Sequence, residues 1–320
     1  MPETNTIDLS INDAFLGYQH AGYCAGPVSF DDASLGELRA SLESSFSNQG
    51  LPRDLGFFQI ENTNSIQQIV DTLCSPWMNT MLQEMSDQYK TPVSILPPFK
   101  IKRNYHIDRS STAGIGWHRD CGGELRYDYC KQRISSNNAY VFGKVGIYLQ
   151  ENKEYGGAID VIPFSHTYLR DGRDMMNKVT QIPFLAIKKI QHVFPKIYTK
   201  LPESLYMKAL RAKKITAKPS TAMLFDSRLL HRGSPIADSV LEEVDFFGTM
   251  QAKTPKESIK YAIYVHFGSA IAAESYLYDR KQRADCANEF EEWQREGRLM
   301  KKYSPQISAS IQSILAKVKY

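Results

Sequence analysis

Residues 116–120 of this 320-residue chain are Gly-Trp-His-Arg-Asp, which places a histidine and a carboxylate two positions apart. In an extended segment, side chains at i and i+2 point to the same side, so His118 and Asp120 face the same point. A second histidine, His231, comes just beyond an apolar run typical of a strand. Two histidines and one carboxylate are a ligand set used by non-haem Fe(II) oxygenases, so these residues are candidate ligands of an open metal site. A lone His-x-Asp is common by chance, and a surface or hydrogen-bonded histidine is the simpler explanation of this motif taken alone.

The stretches around these residues alternate as β-strands do. From residue 97 onward, short runs with this alternation are separated by turn signals such as Gly122-Gly123 and Gly156-Gly157. Because turns rather than helices separate most of the runs, a sandwich or barrel is favoured over a Rossmann sheet. The predicted strands are Phe99–Ile107, Ala139–Gln150, Ala158–Pro163, Thr221–Phe225 and Ser258–Gly268.

Helices are predicted on both sides of the strands and inside one connection. The first 96 residues are expected to form a helical scaffold, with helices over Asp31–Ser47 and Ser65–Tyr89, where apolar residues recur at helical spacing. No linker rich in Pro, Gly or Ser separates helices from strands, so we expect residues 1–320 to form a single catalytic domain, although the length alone allows two. Its parts are the scaffold 1–96, a β core 97–268 with a helical insertion 169–218, and a helical tail 269–320, helical over Ala272–Met300.

Composition excludes several classes of protein. With 39 Lys plus Arg, 35 Asp plus Glu and 42% hydrophobic residues, the chain is expected to bury a sizeable core, which excludes disorder, collagen and coiled coils. It has no apolar run of about 18 residues, so no membrane association is expected. The five cysteines are scattered and odd in number, which argues against a disulfide framework or a zinc site and favours a cytoplasmic location.

The net charge of +4 is unevenly distributed. Residues 178–218 contain ten basic residues and a single acid, Glu203, so the rest of the chain is acidic. A solvated helix face is the simpler explanation of this basic segment, and attraction for a phosphate, a carboxylate or an acidic partner is the alternative. The overall balance does not indicate a nucleic-acid partner.

Four landmarks of this sequence resemble, in the same order, those of the phytanoyl-CoA dioxygenase-like family of Fe(II)- and 2-oxoglutarate-dependent oxygenases. The resemblance covers roughly residues 97 to 268. The third landmark is similar to that family's V-x-P-G-S-H segment. The landmarks are Trp117–Asp120, the strand and turn Lys144–Gly157, the segment Ala158–His166, and Phe225–Gly233.

The resemblance implies an α+β fold with a mainly β core. This core would be a double-stranded β-helix, a cupin-like jelly-roll, flanked by N-terminal, inserted and C-terminal helices. Fe(II) would be held by His118, Asp120 and His231, leaving positions for 2-oxoglutarate and dioxygen. The implied reaction releases succinate and CO2 and hydroxylates an unactivated C–H bond of a small or medium-sized metabolite. Iron halogenases of the same fold lack the carboxylate ligand, so Asp120 argues against halogenation.

The distal carboxylate of 2-oxoglutarate needs a cation, since a desolvated carboxylate without a partner is costly. The family usually supplies an arginine on a strand shortly after the distal histidine, and here no arginine occurs between Gly233 and Asp279. Lys260 takes the corresponding place and is the expected anchor. Its ammonium group makes a point-charge contact with the carboxylate, whereas the guanidinium of an arginine would make a bidentate one. Lys144 and Arg103 are weaker candidates, and Tyr148 is a possible further contact to the co-substrate.

Two other functions stay open at this point. The same chemistry on a carrier-tethered or macromolecular substrate is favoured by the basic insertion, and a non-catalytic jelly-roll binding protein is favoured by the missing arginine. Arg126 and Arg133, in the polar loop after the first motif, are candidates for contacting an anionic substrate. The long gap before Lys260 predicts an extra loop over 242–257 that could act as a lid.

Overall fold

The computed structural model describes most of the scaffold, the strands and the tail. The predicted lid loop 242–257, Arg126 and most of the insertion 169–218 lie outside the described residues. These described residues are 11–28, 30, 32–51, 54–104, 117–122, 127, 130, 132–134, 140–150, 159–167, 208, 211–215, 219, 221–233, 260–283 and 288–317.

Helices dominate both ends of the described chain, and strands dominate its middle. The α-helices are α1 (Ile11–Ala21), α2 (Asp32–Asn48), α3 (Thr63–Leu73), α4 (Pro76–Tyr89), α5 (Ala270–Gln282), α6 (Glu289–Tyr303) and α7 (Pro305–Leu315). The strands are β1 (Tyr23–Pro27), β2 (Asp54–Gly56), β3 (Val93–Asn104), β4 (Phe142–Tyr148), β5 (Ile159–Ile162), β6 (Lys213–Ile215), β7 (Thr221–Asp226), β8 (Leu230–Gly233) and β9 (Lys260–Ser269). None of the described helices is long and apolar enough to cross a membrane.

The predicted continuous helix over Ser65–Tyr89 is wrong, because two helices occupy this range. Helix α3 begins after Asn62, whose side chain caps it, and α4 begins after Ser75, whose hydroxyl accepts from Met78 N. Pro76 at the start of α4 has no backbone donor to continue α3. The predicted tail helix over Ala272–Met300 is divided in the same manner into α5 and α6, with Ser269 capping α5.

The strands of the described residues form two antiparallel sheets, which confirms the predicted jelly-roll. The larger sheet has the order β1-β7-β4-β9-β3-β2, and the smaller one has the order β6-β5-β8. An antiparallel bridge between His118 and His231 places the segment around His118 beside β8. The short strands β1, β2, β6 and β8 were not predicted. Strands β1 and β2 extend the larger sheet at its two edges, and β6 corrects the expectation that the insertion 169–218 is helical, because its residues pair with β5.

The two faces of the larger sheet have different partners. Val145 and Ile147 of β4 belong to the main core, which they share with buried residues of the helices. The alternate residues of the same sheet, such as Met223 and Phe225 of β7, pack instead with Ile159 and Val161 of β5. Because successive strand residues point to opposite faces, the second set lies between the two sheets. The interior of the jelly-roll is therefore lined by residues on the same face of the larger sheet as Lys144 of β4.

Strand β1 packs directly under helix α4 at one glycine. A Cβ added to Gly26 would overlap the indole ring of Trp77, so the close approach of strand and helix depends on the missing side chain. Gly36 in α2 is the opposite case, since a Cβ there would meet no atom within 4 Å.

Gly26→Ala is expected to lower the free energy of unfolding by about 1–3 kcal/mol, because the new methyl group overpacks this contact. Gly36→Ala is the matched control and is expected to raise it by about 0.5–1 kcal/mol, because alanine restricts the unfolded chain and favours the helix. Urea unfolding followed by circular dichroism measures both changes. Equal stabilities of the two variants would contradict the packing described for Gly26.

Candidate metal centre

The first two candidate ligands are placed by a short extended segment at the edge of the smaller sheet. The backbone N–H of His118 donates to His231 O at 2.9 Å, and His231 N–H donates to His118 O at 3.0 Å. A 3-10 turn over Asp120–Gly122 follows and directs the carboxylate back toward the histidines. The two imidazole rings lie side by side, with their centroids 4.4 Å apart.

The three predicted ligands converge on one point. Their donor atoms all lie within 4.8 Å of one another, and this is the only group of this kind found in the described part of the chain. His118 Nε2 is 3.7 Å from Asp120 Oδ1, and His231 Nε2 is 3.6 Å from Asp120 Oδ2. Ligand atoms bound about 2 Å from one ion lie roughly 3 Å apart, so a small movement completes a metal site.

Hydrogen bonding and burial prepare His231 as a ligand. Its Nδ1 lies 2.9 Å from Leu229 O and therefore donates to it. The lone pair of Nε2, on the side of Asp120 and His118, is then available to a metal ion. Burial lowers the pKa of His231 to about 4, and this effect outweighs the opposing pull of the Asp120 carboxylate. The imidazole is thus neutral at physiological pH, as a metal ligand must be.

The Asp120 carboxylate is negatively charged and is placed to bind a cation. Burial acts to raise the pKa of Asp120, but Lys144 and the two histidines outweigh it and hold the pKa well below its usual range. Oδ1 accepts a hydrogen bond from Lys144 Nζ at 2.9 Å, whereas Oδ2 is buried and has no hydrogen-bond partner among the described residues. A buried, ionised oxygen without a partner is costly, so the site fits a divalent metal ion.

Lys144 and Tyr148 lie on the inner face of β4, where the sequence predicted a co-substrate contact. In the larger sheet Lys144 is paired with His266 of β9 and with Phe225 of β7. Tyr148 lies deeper in the jelly-roll, and its hydroxyl is 3.4 Å from the hydroxyl of Tyr264. These side chains form a polar strip that leads inward from Asp120.

The Tyr264 ring packs closely over Gly146 in the middle of this strip. A Cβ at this position would lie 3.2 Å from Tyr264 Cε1 and 3.6 Å from the Tyr148 hydroxyl. Glycine therefore allows the Tyr264 ring to approach β4 beside Lys144 and Tyr148. Burial raises the pKa of both Tyr148 and Tyr264, so both phenols stay protonated and can donate to an anion.

Tyr264 was not predicted as a site residue, although alternation along β9 places it on the same face as His266. Alternation identifies the face of a strand, but the neighbour across the sheet determines which inward residue lies beside the ligands. That neighbour is Gly146, which is paired with Tyr264.

Lys260, the anchor expected from the sequence, lies at the other end of β9. It is paired with Asn104, whereas the residue next to Lys144 is His266. Six residues of strand place the Cα atoms of Lys260 and His266 about 20 Å apart. Tyr264 and Ala262, the partner of Tyr148, come between them, so the tyrosine pair separates Lys260 from the triad.

Arg103, the other weaker candidate, lies on the opposite face of the larger sheet. Its guanidinium donates to Glu43 Oε1 at 2.7 Å and to Leu51 O at 2.8 Å, and it stacks over the Phe46 ring. These contacts join β3 to α2 and place Arg103 away from the metal ligands.

Aromatic side chains wall the end of the jelly-roll near the ligands. The His266 ring lies 5.0 Å from the rings of both Phe142 and Tyr276, and its Nδ1 donates to Pro97 O at 2.9 Å. Burial lowers the pKa of His266 to about 3, so this ring is neutral. Tyr276 belongs to α5, which therefore lies across this end of the barrel.

Residues that follow the metal motif in the chain also contact helix α5. Arg133, a sequence candidate for contacting an anionic substrate, forms an ion pair with Glu274 of α5 at 2.7 Å. The rings of Tyr127 and Tyr278 meet edge to face at 5.6 Å. These contacts tie α5 and the segment after the motif together over the end of the barrel that holds the triad.

No family model matches the chain, and no curated protein matches it either. Among solved structures, it is similar to AviO1 from Streptomyces viridochromogenes Tue57, with 13% identity, 82% of this chain and 97% of that chain covered, and a TM-score of 0.46. It is also similar to EctD from S. alaskensis with 2-oxoglutarate and 5-hydroxyectoine, with 12% identity, coverage of 84% and 79%, and a TM-score of 0.46.

A third similar structure is the epimerase SnoN in complex with Fe3+, alpha ketoglutarate and nogalamycin RO. It shares 8% identity with this chain, the alignment covers 81% of this chain and 84% of that one, and the TM-score is 0.47. Such values are too low to assign an activity, so the proposals below depend on the chain's own residues.

The purified protein is expected to bind one divalent ion, such as Mn2+ or Co2+, through the triad. At a metal concentration a hundredfold above Kd, binding should stabilise the fold by about 2.7 kcal/mol, which a thermal melt detects as a rise in Tm. Asp120→Asn and His231→Ala should abolish the rise, because each removes one of three ligands. His20→Ala, on an exposed position of α1, is the control and should keep it. An undiminished rise in Asp120→Asn would contradict the site.

Proposed function

We propose that the protein is an Fe(II)- and 2-oxoglutarate-dependent dioxygenase that hydroxylates a C–H bond of a small or medium-sized metabolite. The observation that carries this proposal is the convergence of His118, Asp120 and His231, with a buried Asp120 oxygen that has no hydrogen-bond partner in the described part of the chain. Three protein ligands leave room for a bidentate co-substrate and for dioxygen.

Fe(II) at this site would supply the activation of dioxygen. The overall reaction balances as substrate R–H plus 2-oxoglutarate plus O2 giving R–OH, succinate and CO2. The protein's part is to hold the metal, to orient the co-substrate and to exclude water. Its neutral, buried His231 and its ionised Asp120 have the protonation states that the first task requires.

Lys144 is the proposed cation for the distal carboxylate of 2-oxoglutarate, together with the hydroxyls of Tyr148 and Tyr264. The lysine is beside the triad, and the tyrosines are deeper along the same face of the sheet. A lysine side chain is flexible, so its ammonium group can turn from Asp120 to the carboxylate of a bound co-substrate. Lys260 lies beyond the tyrosine pair, and the paired register of β4 and β9 favours Lys144 over it.

The proposed small substrate would lie beside the wall near the ligands. Helix α5 places Tyr276 against His266, and the Arg133–Glu274 ion pair ties the chain after the metal motif to the same helix. The His118 side chain is 55% exposed, so this ligand can be reached from outside. The four described cysteines form no disulfide bond, which supports the cytoplasmic location proposed from the sequence.

Lys144→Met should weaken the binding of 2-oxoglutarate by roughly thirty-fold, the equivalent of about 2 kcal/mol for a hydrogen bond to a charged group. Calorimetric titration of the Mn2+-loaded protein under argon measures this change. Lys260→Met is the matched control and should change the affinity less than threefold. The reverse ranking of the two variants would place the anchor at Lys260.

Anaerobically purified protein given Fe(II), 2-oxoglutarate and dioxygen should form succinate, and formation should rise when the correct metabolite from a panel is added. Coupled turnover yields one hydroxylated product for each succinate, which mass spectrometry can count. Metal binding without succinate formation under any of these conditions would contradict the oxygenase and favour a binding protein built on the same fold.

A further inference from the structure

The candidate ligands are held by very short pieces of regular structure. His118 lies in a single bridge, Asp120 begins a 3-10 turn, and His231 is the second residue of a four-residue strand. A metal site needs its ligands fixed closely to the bound geometry, so something besides these elements must hold them.

We infer that Arg119, the residue between the first two ligands, is the positioning residue that fixes this geometry; the inference rests on the proposed metal-dependent function. Because His118 and Asp120 face the metal position, the side chain between them points the other way. It is half-buried, and its Nη1 donates to two backbone carbonyls, Ser165 O at 2.8 Å and Arg228 O. These carbonyls belong to two turns that are far apart in the sequence.

The first of these turns is tied directly to the distal histidine's strand. Ser165 follows β5, and while its carbonyl accepts from Arg119, its hydroxyl accepts from Leu230 N at 2.8 Å. Leu230 is the residue before His231. One serine thus connects the guanidinium of Arg119 to the start of the strand that carries the third ligand.

The second turn determines the orientation of the His231 ring. Arg228 O accepts from Arg119, and the next carbonyl, Leu229 O, accepts from His231 Nδ1 at 2.9 Å. This turn is rigid, because the Arg228 guanidinium forms a buried ion pair with Asp226, which also accepts from Arg228 N at 2.8 Å. Arg119 therefore holds a fixed turn one peptide away from the carbonyl that orients the ligand.

The chemistry of the contact explains why an arginine suits this position. A guanidinium is planar, always charged and has several donors, so it can bridge two carbonyls from a partly buried position. Lysine has a point charge on a flexible stem and holds two carbonyls less firmly, and methionine keeps the apolar bulk but has no donor. Loss of such outer partners of metal ligands typically lowers metal affinity 10- to 100-fold.

Arg119→Met and Arg119→Lys test the inference by metal affinity, measured apart from turnover. With the full-length protein under argon, Co2+ titration gives Kd, and the visible absorption of bound Co2+ reports the ligand geometry. We expect Kd to rise 10- to 100-fold in Arg119→Met and less in Arg119→Lys, with an altered Co2+ spectrum in both. If the methionine variant does not fold, the lysine variant, which keeps the charge, gives the result.

Arg103→Met is the matched control. Arg103 is also a buried arginine that donates to a backbone carbonyl, Leu51 O, but on the outer face of the larger sheet. Its loss should lower the Tm of the metal-free protein and leave the Co2+ Kd and spectrum as in the wild type. A Kd within twofold of the wild type in both Arg119 variants would overturn the positioning role and leave Arg119 a structural residue.

The outcomes also separate this inference from the proposed function. A wild-type protein that binds Co2+ tightly, loses affinity on Arg119→Met, and yet forms no succinate with Fe(II) would support the positioning role and overturn the oxygenase. A wild-type protein that binds no divalent metal would overturn both. Succinate formation with unchanged metal affinity in the Arg119 variants would overturn the positioning role alone.

Discussion

The two backbone hydrogen bonds between His118 and His231 are the contact on which the site depends. Each histidine donates its N–H to the carbonyl of the other, at 2.9 and 3.0 Å, and joins segments that are far apart in the chain. The smaller sheet gains its last strand pairing from this bridge. Because the paired residues are themselves ligands, the contact that completes the fold also sets the distance between two metal donors.

The interior beside this pairing contains the buried carboxylate of Asp120. Asp120 stays ionised although burial opposes it, because Lys144 and the two histidines surround it. An interior with such a carboxylate needs compensating cations, and one of its oxygens is left without a partner in the described protein. The polar strip from Lys144 to the Tyr148–Tyr264 pair, with Gly146 between, extends this charged region inward. The metal ion and the dicarboxylate proposed above would occupy the two parts of this arrangement.

Sequence patterns predicted which residues face inward but not how deep each one lies. The spacing of His118 and Asp120 and the alternation of β9 both hold in the structure, since each depends only on local backbone geometry. The ranking of Lys260 above Lys144 came from the place of Lys260 in the family resemblance, whereas the position of each lysine relative to the ligands depends on register, which is set by pairing between distant strands. Alternation is the same at every pair along a strand, so it could not show that Lys144 is paired with His266. Strand β1 was missed because Gly26 and Pro27 are poor strand formers, and its place comes from pairing with β7.

Arg119, the residue between two candidate ligands, does not face the metal position, but its contacts support the ligands. Alternation that aims His118 and Asp120 at the metal must aim Arg119 at the protein on the other side. There it donates hydrogen bonds to Ser165 and Arg228, in the two turns that are joined to the start of β8 and hold its histidine. A site built from short elements obtains rigidity from such outward contacts, since its strands have too few hydrogen bonds of their own. His118 and Asp120 thus face the metal position, whereas Arg119 between them fixes the surrounding backbone.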